Sequence, residues 1–177
     1  MTPDADRALA QIESVGLLLL QDPRLPSLAA LIAGEVVKGS WWGHPAGSRI
    51  FDAAGELDDH ADVATFKLVE GKVCFVHRRL WPALIAIGSA REAWQRKGLD
   101  ADARALLERV EREGRVRASG QAAKALEARL LAASAQVHTE SGKHATELSS
   151  WARFAEDREA GAPPRSPRPS ASSRPPS

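Results

Sequence analysis

The sequence is poor in sulfur and has no tyrosine: one cysteine and one methionine occur in 177 residues. A single cysteine, Cys74, excludes any intramolecular disulfide and fits a reducing compartment. It lies in Val73-Cys74-Phe75-Val76, an apolar setting that points to a buried structural thiol rather than a nucleophile. No apolar run approaches the roughly 18 residues of a membrane span; the longest, residues 15–20, is broken at once by Gln21-Asp22-Pro23. The opening Met1-Thr2-Pro3-Asp4-Ala5-Asp6 lacks the basic start of a secretory signal. The expectation is a cytoplasmic protein with no membrane association. The chain also lacks a phosphate-binding Gly-x4-Gly-Lys-Ser/Thr, a Gly-x-Gly-x-x-Gly and a Gly-x-Ser-x-Gly elbow. Nucleotide-driven and serine-elbow chemistry are therefore not expected, and no cofactor is implied.

What is present suits one ordinary domain with a small addition. A hydrophobic content of 44% can bury a core without disulfides or metals. Net charge is +1, but it is unevenly spread. Residues 1–60 hold four Lys/Arg against nine Asp/Glu, whereas residues 61–118 hold twelve against eight. A basic centre beside an acidic start can form a basic face. From Gly161 the chain is Pro/Ser/Arg-rich, with six of the eleven prolines and no large apolar side chain. Such a segment reads as a disordered tail.

Periodicity places the elements. Asp4 or Asp6 caps a first helix that stops at Gly16, and residues 17–20 form a short buried strand. Pro26-Ser27 opens a second helix with Leu28, Leu31 and Ile32 inward and Gly34 at its end. Lys38-Gly39-Ser40-Trp41-Trp42-Gly43-His44-Pro45-Ala46-Gly47 is a turn-rich connection. A third helix follows over about 46–57, carrying Ile50, Phe51, Ala54 and Leu57. Val63–Val69 and Lys72–His77 are strands joined by Glu70-Gly71 at hairpin length. Pro82 begins a long helix ending near Gly98. Further helices are expected from Asp100 to Gly114, over about 121–136, and over about 143–157 with Thr139 or Ser141 as cap. No internal repeat is evident.

Helix, strand, helix, helix, strand, turn, strand is the order of a winged helix-turn-helix domain. The fold class expected is therefore α+β, predominantly helical. A winged-helix-like domain with a small antiparallel hairpin covers 1–98, a helical extension covers 99–160, and the tail covers 161–177. Val15-Gly16-Leu17, Leu25-Pro26-Ser27-Leu28 and Ala33-Gly34 resemble the opening of small bacterial proteins related to the AlkZ DNA glycosylases, which are built from winged-helix units. The likeness covers about the first 35 residues. The Gln-x-Gln or Gln-x-Asp catalytic motif of those glycosylases is absent here, so their activity is not carried over.

The most informative stretch surrounds Trp41 and Trp42. Indoles stack on bases and glycines admit close backbone approach, so this turn is a candidate platform edged by Lys38 and His44. It can equally be a core plug whose glycines only shape the turn. The helix after it carries one arginine, Arg49, against Asp52 and Glu56, with Asp58 and Asp59 following. Phosphates favour the opposite charge. A DNA surface would then use Lys38 and Arg49 with the wing side: Lys67, Lys72, His77, Arg78 and Arg79. The alternative for His77-Arg78-Arg79 is pairing with Asp58, Asp59 or Asp62 while Trp81 packs inward. His138 and His144 have five residues between them, which is not a usual zinc spacing, and no metal site is assigned.

The leading expectation is a nucleic-acid-binding, DNA-directed winged-helix protein without catalytic activity. A nucleic-acid-processing enzyme with His44, Asp59, His60 or Glu140 at its site is one alternative. A protein-interaction adaptor is the other. The helical faces of 100–136, with Leu106, Leu107, Val110, Leu126, Leu130 and Leu131, could serve a homodimer.

Overall fold

The structure, a computed structural model, describes residues 1–138 and 144–159. The segment expected to be a disordered tail lies outside the described residues, as does Glu140. The protein is mixed α+β with two small three-stranded antiparallel sheets.

The first sheet holds β1 (Leu17–Leu19), β2 (Val63–Val69) and β3 (Lys72–His77) in the order β1-β3-β2. Three helices cover one face: α1 (Pro3–Val15), α2 (Leu28–Ala33) and α3 (Gly47–Asp58). Their limits follow from local chemistry. Thr2, not Asp4 or Asp6, caps α1 by accepting from the Ala5 amide, and Gly16 at φ 98° ends it. Ser27 caps α2, and Gly34 at φ 77° ends it. Glu70 and Gly71 both take positive φ, 51° and 72°. That is the type I′ geometry whose twist matches a two-residue hairpin.

The period-2 alternation sorts the sheet between two cores. Leu18, Val63 and Phe75 join Ile12, Leu28, Ile32, Ile50 and Leu57 beneath the three helices. Leu19, Ala64, Phe66, Cys74 and Val76 face a second core with Trp151 and Phe154. Cys74 is buried and unbridged.

Downstream elements are α4 (Trp81–Ala90), α5 (Ala93–Arg96), α6 (Ala101–Glu113), β4 (Arg115–Arg117), α7 (Gly120–Ala128), β5 (Ala133–His138), β6 (His144–Ser149) and α8 (Trp151–Glu159). Asp100 caps α6 and Gly114 ends it, as its sequence predicts. Three expectations are corrected. The single helix to Gly98 is broken at Arg91, which sits at φ 53°. The helix over 121–136 ends at Ala128, because Leu130 turns left-handed at φ 54°. The Leu131 amide then donates to the Leu126 carbonyl, a Schellman closure with leucine where glycine is usual. The helix over 143–157 starts only at Trp151, and residues 144–149 are a strand. The region read as a helical extension thus holds a second sheet, β4-β6-β5.

A repeat therefore exists in structure though none shows in sequence. In both units a helix leads into a short strand, and the last two strands form a hairpin whose second member is central. Leu106, Leu107, Val110, Leu126, Leu131 and Leu148 bury one another in the second unit's core. Of the residues suggested for a homodimer, five are spent there, and Leu130 packs against the core around Trp151. Among the described residues no helix is long and apolar enough to cross a membrane.

Candidate functional site

The Trp41–Trp42 segment is held in place from both ends. Upstream, Val37 is buried, and Gln21 Nε2 donates to the carbonyls of Val37 (3.1 Å) and Gly39 (2.6 Å). Downstream, Trp41–Gly43 make one 3-10 turn, and residues 44–46 link it to α3 at Gly47. His44 Nδ1 accepts from the Ala46 amide at 3.1 Å, and the Gly47 amide donates to the His44 carbonyl at 2.7 Å. A Cβ at Gly47 would lie 3.0 Å from the carbonyl oxygens of both Trp41 and Trp42. Glycine lets the helix start this close to the tryptophan backbone, and any side chain here would push that backbone back by a few tenths of an ångström.

This clamping splits the two indoles. Trp41 is half-buried against the first core. Trp42 stacks on it with centroids 4.2 Å apart and planes 22° apart. Its own ring remains 63% exposed. Phe51 of α3 lies 5.3 Å from Trp42 and is 42% exposed. Ile50, Ala53 and Leu57 face the core, so Phe51 falls off the buried stripe. That offset, readable from helical spacing, is the signal that could have placed Phe51 in the site rather than inside. A stacked indole pair with an adjacent phenyl offers flat apolar contact to a ligand.

The surroundings are acidic. Asp52 of α3 and Asp59, its C-cap, are exposed on the same face as Phe51 and Gly55. Exposed Glu35 faces His44 Nε2 at 3.4 Å. Lys38 is exposed on the same connection.

The remaining cations proposed for nucleic acid are directed elsewhere. Arg49 makes a two-pronged pair with Asp4 of α1, at 2.8 and 2.9 Å. Lys67 pairs with buried Glu127 of α7 at 3.5 Å. Lys72 pairs with Asp22 at 2.6 Å and Glu70 at 2.9 Å. Asp22 is 3% exposed and also accepts from the amides of Arg24 and Leu25. The Lys72 hydrogen bond and those two amides hold its carboxyl down at about 2, and the same pairing raises Lys72. Arg78 pairs with Asp62 at 2.9 Å, as one sequence reading had it. Arg79 donates to the Ser14 carbonyl near the end of α1, and His77 Nδ1 accepts from the Arg79 amide.

The ten residues therefore fall into groups. Lys38, Trp41, Trp42 and His44 sit together at the start of α3. Arg78 lies beyond the far end of that 12-residue helix, which is about 18 Å long. His44 and His60 are likewise at opposite ends of α3, and His60 Nδ1 accepts from the Asp62 amide. Glu140 is outside the described residues, and the histidines do not converge on one centre. His138 and His144 are backbone partners across the β5–β6 hairpin. Among the described residues no group of three or more His, Cys, Asp or Glu is placed to hold a metal ion.

No family model, curated protein or solved structure matches this chain.

Proposed function

We propose that this chain is a protein-interaction module, built on two winged-helix-like units, that docks an extended polypeptide segment on Trp42 and Phe51. The winged-helix reading is supported by the element order α1-β1-α2-α3-β2-β3 and by the shared strand order of the two sheets. One observation carries the functional reading. The exposed Trp42 ring packs beside Phe51, on the α3 face shared with Asp52 and Asp59, while most cations suited to phosphates are committed to carboxylates.

Commitment is a matter of burial. Lys67 cannot leave for a phosphate without stranding buried Glu127, a cost of about 1–3 kcal/mol. Departure of Lys72 would leave buried Asp22 with only the Arg24 and Leu25 amides. Arg49 and Arg78 are more exposed, and such pairs are worth only about 0–1 kcal/mol.

Those two arginines and Lys38 favour the second reading, nucleic-acid binding with bases stacked on Trp42. The separation of His44 from His60 speaks against a glycosylase-like enzyme.

Titrating labelled duplex and single-stranded oligonucleotides across salt, beside cationic and proline-rich peptides, separates the readings. Peptide binding that Trp42→Ala abolishes is expected. Salt-dependent oligonucleotide binding that Trp42→Ala abolishes would instead establish nucleic acid as the ligand.

A further inference from the structure

The chain carries its own segment of matching chemistry. Residues 163–169 read Pro-Pro-Arg-Ser-Pro-Arg-Pro, and residues 160–177 hold Arg165, Arg168 and Arg174 with no acidic side chain. Proline-rich segments dock in extended polyproline form on exposed aromatic side chains, at small entropic cost because that form is preset. The platform offers Trp42 and Phe51, with Asp52 and Asp59 along the helix beside them.

The position of α8 brings this segment within reach. Phe154 of α8 packs 5.4 Å from Phe66 of β2. On the same strand Thr65 donates to Asp58 at 2.6 Å, at the end of α3. Arg158 is stacked 4.7 Å over Trp81, where burial lowers its pKa and the charges of Asp58 and Asp157 oppose that shift. The described chain thus leaves α8 across strand β2 from the C-terminal end of α3. Phe51 lies about 10 Å up that helix and Gly47 about 17 Å, at about 1.5 Å per residue. Residues 163–169, four to ten beyond Glu159, span about 12–31 Å from it at about 3.1 Å per residue. That reach takes in the platform, and the about 9 Å between Arg165 and Arg168 in extended form is close to the about 10 Å between Asp59 and Asp52 along the helix.

We propose that residues 163–169 dock on the Trp42–Phe51 platform of their own chain, running along α3 with Arg165 and Arg168 toward Asp59 and Asp52. The site is then self-occupied, and an outside segment must displace the tail to bind. This inference rests on the platform being a peptide-docking site. A short tether supplies an effective concentration on the order of millimolar, so even weak contacts keep the site substantially filled.

The test uses the full chain with Ser170→Cys carrying a spin label. Cys74 is buried and escapes labelling. Tryptophan indole resonances are recorded, with that of Trp42 identified by its loss in Trp42→Phe. Docking reduces the Trp42 signal by about half or more, independently of protein concentration. The Asp52→Lys, Asp59→Lys double variant restores it. An unaffected Trp42 signal overturns the inference. So does broadening seen only between labelled and unlabelled copies, which would place the tail on a second chain. A full chain with Pro163, Pro164, Pro167 and Pro169 changed to alanine is then offered proline-rich peptides. Trp42-dependent binding there, without tail docking, leaves the platform reading intact and removes only the tail. Absence of both removes the two together.

Discussion

Gly88 of α4 lies flat against the indole of Trp151 at the start of α8, so closely that an added Cβ would overlap the ring. The same indole donates to the Leu130 carbonyl at 2.7 Å. One side chain thus ties α4, α8 and the turn after α7, in the core that joins the first sheet to the second unit. Gly88→Ala is expected to destabilise by about 1–3 kcal/mol, because a buried tryptophan cannot yield without moving two helices. Gly55→Ala is the control. Gly55 is exposed in α3 with open space at its Cβ position, so alanine there stabilises by about 0.5–1 kcal/mol. Urea midpoints of the two variants should move in opposite directions.

The Asp22–Lys72 pair gives stability an acid limb. Asp22 is lowered from 3.8 to about 2 in the folded chain, so between these values the unfolded chain holds a proton that the native state refuses. The contribution is fully present above pH 3.8 and fades as pH falls toward 2. Glu70, also lowered by Lys72, adds with the same sign. Lys72 is raised above 10.5, so its share persists through neutral pH and fades as pH climbs past that folded value. Asp22→Asn should be less stable than the parent at neutral pH. The gap should close as pH falls from 3.8 toward 2 in parallel denaturant titrations; a gap that stays constant would assign Asp22 a role independent of its charge.

Glycine decides which helix ends could be read from sequence. Gly16, Gly34 and Gly114 stop α1, α2 and α6 where expected. The two missed stops are at Arg91 and Leu130, both left-handed without being glycine. Nothing local announces them, because tertiary contacts hold them. Arg91 donates to the Leu131 carbonyl and pairs with Glu111, while Leu130 packs in the core around Trp151. The second sheet was hidden for a related reason. Residues 133–138 read Ala-Ser-Ala-Gln-Val-His, whose weak alternation becomes a strand only through pairing with β6. At the site, the Trp-rich turn was legible from composition. The commitment of Lys67 to Glu127 was not, since sixty residues separate them.

That pair is a strut between β2 and α7. Glu127 is 7% exposed, and its Oε1 has no hydrogen-bond partner beyond the 3.5 Å ion pair with Lys67. Lys67→Met should cost about 1–3 kcal/mol by leaving a carboxylate buried and alone. Adding Glu127→Gln should recover much of the loss, since the stranded charge is gone. A double-mutant cycle by thermal melting checks this. Additive losses would mean that the two side chains do not act as a pair.

The two stacked tryptophans should separate fold from function. Trp41 is packed against the first core, so Trp41→Ala opens a gap at the edge of that core beside α3 and costs about 2–4 kcal/mol. Trp42 buries little and contributes mainly its 4.2 Å stack on Trp41. Trp42→Ala should therefore cost no more than about 1 kcal/mol. Binding runs the other way. Trp42→Ala removes the exposed ring and abolishes peptide docking in a folded protein. Trp42→Phe keeps a flat face and retains part of it. Melting curves and peptide titrations on the same three variants decide the matter. A Trp42→Ala protein that melts normally and still binds would move the docking surface away from this turn.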